Sequence, residues 1–202
     1  MTITLIDFSA NAVETIARSA GVCYGNDNKD LSRIGKLKKH KHLATMRFAH
    51  AVFKIEDISI ACQNQFVRSK HLDFLVESKR YVDASERGFV MPENIEPNNE
   101  MLIKRAADNA MEVYKHLVNN GMKKEDARAI LPMNTMTSMY VAGNFQAWMD
   151  FLKLRVSKHA QKEIQLVALN IWSALILAFP HVFADLKFED EGFSQWKKLN
   201  TL

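Results

Sequence analysis

A stretch rich in hydrogen-bond donors, QFVRSKHLDFLVESKRYV, occupies positions 65–82. It combines amide, guanidinium, ammonium and hydroxyl groups, and such donors suit a phosphate group and the edge of a nucleobase. We expect the segment to run from the end of a helix into an extended chain, which offers these donors together. The residues concerned are Gln65, Arg68, Lys70, Ser78 and Arg80.

A second set of polar residues lies on the later predicted helices. Arg155 is its most informative member, because it follows Phe151 and Leu152 by one helical turn, where a hydrophobic core is expected. A charge in that position needs a partner or a ligand. The other members are Arg128, Asn144, His159, Gln161 and Glu163. Both sets also fit a structural ion-pair network, and their spacing alone indicates only a protein that binds an anionic nucleotide.

Several other chemistries have no support in the sequence. It contains no glycine-rich phosphate loop, no nucleophile elbow and no Cys-x-x-Cys pair. His40 and His42 lie among lysines with no acidic ligand beside them, which favours a solvated helix face over a metal site. We therefore predict no bound metal.

Composition limits the class of protein further. A chain of 202 residues that is 48% hydrophobic can bury one substantial core, so we expect a single domain. The excess of 27 basic over 23 acidic residues suits a nucleotide and is too small for a dedicated DNA-binding arm. Only Cys23 and Cys62 could pair, and the start of the sequence lacks the pattern of a signal peptide, so we expect a cytoplasmic protein. The apolar run LNIWSALILAF is shorter than the roughly 20 residues that cross a bilayer.

These residues must be positioned by strands and helices in mixed order. Alternating patterns predict strands at 2–8, 49–59 and 133–143, with Ala51, Phe53 and Ile55 on one face of the second. Helical periods predict helices near 9–25, 30–48, 58–68, 100–121, 144–155 and 157–180, with a short one at 123–132. Because regular strand-helix-strand crossovers are missing, we predict an α+β fold with a small, mostly antiparallel sheet flanked by helices.

Helix boundaries and buried faces follow from capping residues and apolar spacing. The predicted N-caps are Ser9, Asp30, Asp57, Asn98 or Asn99, and Asn144, while Gly21 and Gly121 are predicted to end helices. In the helix at 100–121, the residues expected to face the core are Leu102, Ala106, Ala110, Val113 and Leu117.

The donor-rich stretch resembles a family signature. Arg68-Ser69-Lys70, followed after seven residues by Ser78, is similar to the Arg-His-Arg, seven residues, Ser motif of the flavin-dependent thymidylate synthases. The entry Gln65 to Arg68 and the exit Ser78-Lys79-Arg80-Tyr81 also resemble that family. A longer block, ARAILPMNTMTSMYVAGNFQAWMDFLKLRVSKHAQKEIQ, resembles its C-terminal half without a gap. The resemblance extends over about residues 5–180.

This resemblance implies a reaction and an assembly. The protein would transfer a methylene group from methylenetetrahydrofolate to C5 of dUMP and reduce it with a hydride from FAD, which NADPH recharges. It would act as a cytoplasmic homotetramer with active sites shared between subunits, and without nucleic-acid or membrane partners. Residues 1–202 would form one domain of this family's type.

The resemblance also implies roles for individual residues. Arg155 would activate the uracil ring, with Phe151, Leu152 and Leu154 excluding water around its charge. The residues that would bind dUMP are Gln65, Arg68, Ser78, Lys79, Arg80, Arg128 and Arg155. Those that would line FAD are Met46, Arg68, Ser69, Lys70, Asn144, Phe145, Gln146 and Asp150.

Five positions depart from the family signature. Ser69 replaces the histidine of the triplet, and Lys70 replaces its second arginine, losing the planar bidentate fork. Leu75-Val76 stands where an Asn-Glu pair is expected, and Ala49 stands where a further glutamate is expected. The sequence therefore supports dUMP binding more strongly than turnover. Two alternatives stay open. The protein could be a flavin enzyme that forms another C5 product, such as a hydroxymethyl group, or a basic, non-catalytic module that binds nucleotides or nucleic acid.

Overall fold

A computed structural model of the protein describes residues 1–93 and 95–187. The chain divides into two compact units. The first unit comprises residues 1–2, 55–68 and 74–140, and the second comprises 3–54, 69–73 and, among the described residues, 141–187. The prediction of one domain over residues 1–202 stays a prediction, and its positions 94 and 188–202 lie outside the described residues.

Four strands form one open antiparallel sheet, which confirms the predicted α+β class. The strands are β1 (Thr2–Phe8), β2 (His50–Ser59), β3 (Leu72–Val76) and β4 (Met136–Asn144), in the spatial order β1-β2-β4-β3. In β2 the predicted alternation is confirmed, because Ala51, Phe53 and Ile55 are all buried. The short strand β3 is the extended segment expected within the donor-rich stretch.

Helices account for most of the remaining ordered chain. The α-helices are α1 (Ala12–Val22), α2 (Ser32–Lys39), α3 (Ile60–Phe66), α4 (Pro97–Asn119), α5 (Lys124–Ala127), α6 (Phe145–Arg155), α7 (Lys162–Ala178) and α8 (Pro180–Phe183). Within residues 1–93 and 95–187, 3₁₀ helices span Leu43–Phe48, Ala84–Glu86 and Arg128–Ile130. Among the described residues, no helix is both long and apolar enough to cross a membrane.

Helix α6 packs on the start of β2 in the core of the second unit. The indole of Trp148 meets the Phe53 ring edge-on at 5.0 Å and donates to the carbonyl oxygen of Ala51 at 3.1 Å. Asn144 caps the helix as predicted, because its Oδ1 accepts from the Ala147 N–H at 2.9 Å. The first residue of the helix, Phe145, is fully buried.

Two predicted N-caps of the early chain are wrong. Ser9 does not cap α1, because its hydroxyl accepts from the N–H of His50 at 3.0 Å. Asp57 adopts a positive φ of 57° and precedes Ser59, whose hydroxyl caps α3 by accepting from the Cys62 N–H. Asp30 does accept from the first N–H of α2, that of Ser32, at 3.0 Å.

Two further predicted helix boundaries also differ. Gly21 lies inside α1 instead of ending it. A β-carbon at this position would stand 2.4 Å from the carbonyl oxygen of Asn26, which explains the glycine there. Helix α4 begins at Pro97 with Glu96 as its N-cap, ahead of the predicted Asn98 or Asn99. Proline suits the first helical position because its missing N–H has no intrahelical partner there.

The predicted buried face of α4 is wrong at Leu102, Ala106 and Val113, which are exposed, while Leu117 packs against the core cluster of the first unit as predicted. The residues that α4 buries are Ala107, Met111 and Tyr114, which cluster with Ala84 and Ala127 in the first unit. The predicted core residues Leu102 and Val113 are 59% and 37% exposed. Both sets follow a helical period, so periodicity alone does not decide which of them meets the rest of the fold. We refer to Leu102, Ala106 and Val113 as the exposed α4 face.

We predict that Gly143→Ala destabilises the protein. A β-carbon at Gly143 would lie 2.3 Å from Cδ2 of Leu72, and Leu72 is itself buried and has little room to move. Overpacking of this kind lowers the free energy of unfolding by about 1–3 kcal/mol, which urea denaturation measures. The matched control is Gly35→Ala in α2, where the added carbon meets nothing within 4 Å. The control should be neutral or stabilising, and equal losses in both variants would contradict this account of Gly143.

Candidate functional site

In the second unit, three strand ends meet because the sheet is antiparallel. The end of β4 lies beside the start of β2, where the Phe145 N–H donates to the carbonyl oxygen of Ala49 at 2.9 Å. It also lies beside the start of β3, where Leu72 approaches Gly143. The chain segments just before β2, just before β3 and just after β4 are therefore neighbours.

These three segments carry most of the residues that the sequence predicts to line a flavin. Met46 belongs to the segment before β2, Ser69 and Lys70 to the segment before β3, and Asn144, Phe145 and Gln146 to the segment after β4. Arg47 links two of the segments by donating to Oε1 of Gln146 at 2.7 Å. Asp150 is exposed on the second turn of α6. The remaining predicted flavin residue, Arg68, belongs to the first unit.

The side chains in this region differ in what they can offer a ligand. Met46 and Phe145 are fully buried, so their side chains serve packing. Asn144 uses only its carbonyl oxygen as a helix cap, which leaves its NH₂ group to donate. The hydroxyl of Ser69 is buried and makes no hydrogen bond to any described residue. A buried hydroxyl without a partner costs free energy unless a ligand or water completes it, so this position fits a bound polar group.

Arg155 ends α6 and is partly exposed. Phe151 and Leu152 are buried beneath it, but Leu154 is exposed, so the expectation that Leu154 excludes water around the charge is wrong. The chain just after Arg155 is held by Gln165, whose Nε2 donates to the carbonyl oxygens of Val156 and Ser157 at 3.0 and 3.2 Å. Sequence reasoning missed this role, although Gln165 ends the His-Ala-Gln-x-Glu-Ile-Gln run.

In the first unit, the exposed residues Arg80 and Arg128 both form hydrogen bonds with Glu125. Arg80 donates to Oε2 of Glu125 through Nη2 and Nε, at 2.7 and 2.9 Å. Arg128 donates from Nε to the backbone carbonyl oxygen of the same residue at 3.0 Å. Because both guanidinium groups remain exposed, they can also face an anionic ligand. Glu125 was not predicted from the sequence, although its position three residues before Arg128 is a helical neighbour spacing.

Ser78 opens a tight turn after β3. Its carbonyl oxygen accepts from the N–H groups of Tyr81 and Val82 at 3.1 and 3.0 Å, and its hydroxyl accepts from the Arg80 N–H at 3.3 Å. We refer to residues 78–82 as the Ser78 turn. It carries three of the predicted dUMP ligands. Of the others in this unit, Arg128 directly follows α5, and Gln65 and Arg68 lie at and just after the end of α3.

Lys79 differs from its neighbours in the turn. It is only 8% exposed, and its Nζ donates to Oε1 of Glu77 at 2.6 Å and to the carbonyl oxygen of Met136 at 2.8 Å. The second oxygen of the Glu77 carboxylate is bound by Arg87. The sequence analysis assigned no role to Glu77, and the signal that could have indicated one is an acidic residue two positions before Lys79.

Two other features complete the description of this region. The backbone N–H of Ser85, which donates to the Asp83 carboxylate at 2.8 Å, lowers the pKa of that carboxyl just beyond the turn.

Within residues 1–93 and 95–187, no group of three or more His, Cys, Asp or Glu side chains is arranged to hold a metal ion.

Comparison with known proteins identifies the family. The family model described as thymidylate synthase complementing protein matches residues 4–181. A flavin-dependent thymidylate synthase from Corynebacterium efficiens is 30% identical over 208 aligned positions, which cover 91% of this chain and 83% of the relative. Proteins of the same name from Mycobacterium marinum and Mycolicibacterium vanbaalenii are 30% and 31% identical over 163 positions, covering 72% of this chain and 65% of each relative. The chain therefore belongs to the thymidylate synthase complementing protein family, which confirms the resemblance found in its sequence.

Proposed function

We propose that this chain is a flavin-dependent thymidylate synthase that converts dUMP to dTMP. Methylenetetrahydrofolate would donate the carbon unit, and NADPH would reduce a bound FAD. The family match and the names of the relatives support the reaction class. The observation that carries the proposal is the meeting of three strand ends in the second unit, where the predicted flavin residues become neighbours.

FAD would be held by the residues at those strand ends. When bound, the flavin supplies the hydride that reduces the transferred carbon unit. The Ser69 hydroxyl would gain its missing partner, Lys70 would face a phosphate as a point charge, and the Asn144 amide would donate a hydrogen bond. Gln146 and Asp150 would add polar contacts, Arg68 is a further proposed ligand of FAD, and Met46 and Phe145 would pack beneath the site.

dUMP would be bound mainly by arginines. Arg80 and Arg128 would bind its phosphate, because both are exposed guanidinium groups and both contact Glu125. Ser78, Gln65 and Arg68 would donate hydrogen bonds. Lys79 belongs to the same segment, although its ammonium is engaged inside the protein.

Arg155 would activate the uracil ring. Addition of an electrophile at C5 needs electron density from N3, and a guanidinium facing N3 and its flanking carbonyl groups stabilises the resulting negative charge. This role requires no covalent nucleophile. The structure at Ser78 agrees with this, because its hydroxyl accepts a hydrogen bond within its own turn and is not required as a nucleophile.

We further propose a cytoplasmic homotetramer with active sites shared between subunits. The exposed α4 face supports association, because an apolar helix stripe of this spacing normally lies against another surface. A cytoplasmic location is supported by Cys23 and Cys62, which form no disulfide.

A product assay tests the proposed reaction. Purified protein is incubated with dUMP, FAD, NADPH and methylenetetrahydrofolate, and the nucleotide is analysed by mass spectrometry. We expect dTMP and a flavin absorbance spectrum. A hydroxymethyl product would instead support the alternative in which water intercepts the methylene adduct. Protein that shows neither flavin nor a changed nucleotide would support a non-catalytic binding module.

Substitutions at Arg155 and Ser78 should have different kinetic effects. Arg155→Ala should lower kcat by on the order of 100-fold to 1,000-fold, because it removes a preorganised electrostatic contact. Arg155→Lys keeps the charge but not the planar fork and should remain impaired. Ser78→Ala should mainly raise KM for dUMP, since a serine without an adjacent base is a poor nucleophile. Steady-state kinetics measures both constants, and near wild-type turnover in Arg155→Ala would contradict the assigned roles.

FAD should bind more tightly in the presence of dUMP. The replacements Ser69, Lys70 and Val76 remove larger or charged partners, and Ala49 is fully buried, so the cofactor has fewer contacts than the family signature provides. Stacking of the pyrimidine on the flavin would add contacts, and such coupling is reciprocal. Fluorescence titration of FAD with and without dUMP measures the effect. Tight binding that is independent of dUMP would contradict this prediction.

Charged substitutions on the exposed α4 face should disrupt assembly. Leu102→Lys and Val113→Lys place charges in the proposed subunit contact, and desolvating them opposes association. We expect a shift from tetramer to smaller species in sedimentation velocity, with loss of activity. Lys104→Glu is the control, because Lys104 lies on another side of the helix. An unchanged tetramer in both lysine variants would exclude this face from the interface.

A further inference from the structure

A buried ion-pair network lies directly beside the Ser78 turn. The Glu77 and Lys79 side chains are only 10% and 9% exposed, and the carboxylate bridges Lys79 and Arg87. Two cations thus share one carboxylate in a desolvated position. Of the predicted dUMP ligands, Lys79 belongs to this network, while Glu77 and Arg87 have no predicted role.

The network ties the turn to the beginning of β4. Lys79 donates to the carbonyl oxygen of Met136, and the N–H of Met136 donates to the carbonyl oxygen of Gly88 at 2.9 Å. The backbone N–H of Glu77 donates to the carbonyl oxygen of Ser138, also at 2.9 Å. Both the chain entering the turn and the chain leaving it are therefore fixed on the same strand.

This arrangement sets the direction of the neighbouring side chains. The inward contacts of Glu77 and Lys79 hold the chain on both sides of Ser78, at the point where β3 passes into the Ser78 turn. Arg80 is 54% exposed, although it lies next to a buried lysine, so the two side chains leave the turn in different directions. Loss of the inward pair would let the turn rotate and would change where Ser78 and Arg80 point.

A buried ion pair of this kind contributes more to the orientation of the chain than to the stability of the fold. Desolvation of two charges offsets much of their attraction, and apolar residues of similar volume often serve a core equally well. The pair nevertheless has a defined geometry, because Lys79 must reach both a carboxylate and a carbonyl oxygen. Apolar packing would not impose that geometry on the turn.

We propose that Glu77 and Lys79 are positioning residues that orient Ser78 and Arg80 toward the phosphate of dUMP. Lys79 then acts from inside the protein and is not itself a ligand. The inference rests on the proposed function for the identity of the ligand, but the orienting role concerns the turn itself. It explains why a lysine between two predicted ligands is buried.

Affinity measurements separate positioning from simple electrostatics. Glu77→Gln removes a negative charge near a dianionic ligand, so electrostatics alone predicts tighter binding of dUMP. If Glu77 and Lys79 orient the turn, the loss of either should weaken dUMP binding. We therefore expect both Glu77→Gln and Lys79→Met to raise the Kd for dUMP by on the order of 10-fold. Isothermal titration calorimetry with dUMP measures the change. Tighter binding by Glu77→Gln, together with weaker binding by Lys79→Met, would make Lys79 a direct ligand and overturn the proposal.

A double-mutant cycle and a conservative variant sharpen the comparison. The combined Glu77→Gln, Lys79→Met variant should bind dUMP no more weakly than either single variant, because the two residues act as one unit. Lys79→Arg keeps a cation of similar reach and should recover most of the affinity. In the assay, KM for dUMP should rise while kcat at saturation stays within about twofold. The control is Lys115→Met, which changes an exposed residue of α4 outside the exposed α4 face, and it should match wild type.

Hydrogen exchange tests the orienting role without any ligand. In the ligand-free protein, Glu77→Gln and Lys79→Met should speed exchange of the Tyr81 and Val82 amides, which the turn protects, while circular dichroism confirms folding. Unchanged exchange would overturn the proposal whatever the ligand is. Faster exchange with unaltered dUMP affinity would overturn its link to the phosphate. Wild-type protein that fails to bind dUMP would refute the proposed function, and the exchange result would still decide whether the pair orients the turn.

Discussion

The antiparallel pairing of β4 with its neighbours is the constraint on which the candidate site depends. Antiparallel strands place the end of one beside the start of the next, and backbone hydrogen bonds fix that register. In the second unit this brings the chain before β2, the chain before β3 and the start of α6 together. The contact between Gly143 and Leu72 marks one of these meetings, and it leaves no space for a β-carbon. The polar residues around it become neighbours because the backbone pairs in this way.

The first unit uses charge in two distinct ways. Arg80 and Arg128 stay exposed on Glu125, where water screens their interaction and a phosphate can compete for the guanidinium groups. Glu77 and Lys79 are largely withdrawn from water, where removing one partner would leave a costly unpaired charge, and Arg87 is partly exposed beside them. The exposed set can exchange partners with a ligand, and the buried set holds the backbone that presents it. Residues of the same chemical type thus serve binding or positioning according to their burial.

The departures from the family signature have a physical meaning in this fold. Ser69 is too short to fill the position of a histidine, and its hydroxyl has no hydrogen-bond partner among the described residues. Ala49 is fully buried and contributes only its carbonyl oxygen, which accepts the first N–H of α6. Both changes remove side-chain contacts and retain the backbone frame. The frame therefore supports a bound flavin, while the strength of its binding depends on contacts that these positions no longer make.

The sequence alone determined the elements whose signals are local, and the tertiary structure decided what depends on distant partners. The alternation of β2, the Asn144 cap of α6 and the α+β class were predictable, because each rests on neighbouring residues. The family was also identifiable, since its motif depends on spacing along the chain. The buried face of α4 was mispredicted because two helical stripes were equally apolar, and only the position of Ala84 and Ala127 selected between them. The inward direction of Lys79 and the gathering of Arg80 and Arg128 on Glu125 likewise arise from residues far apart in sequence, which meet only when the chain has folded.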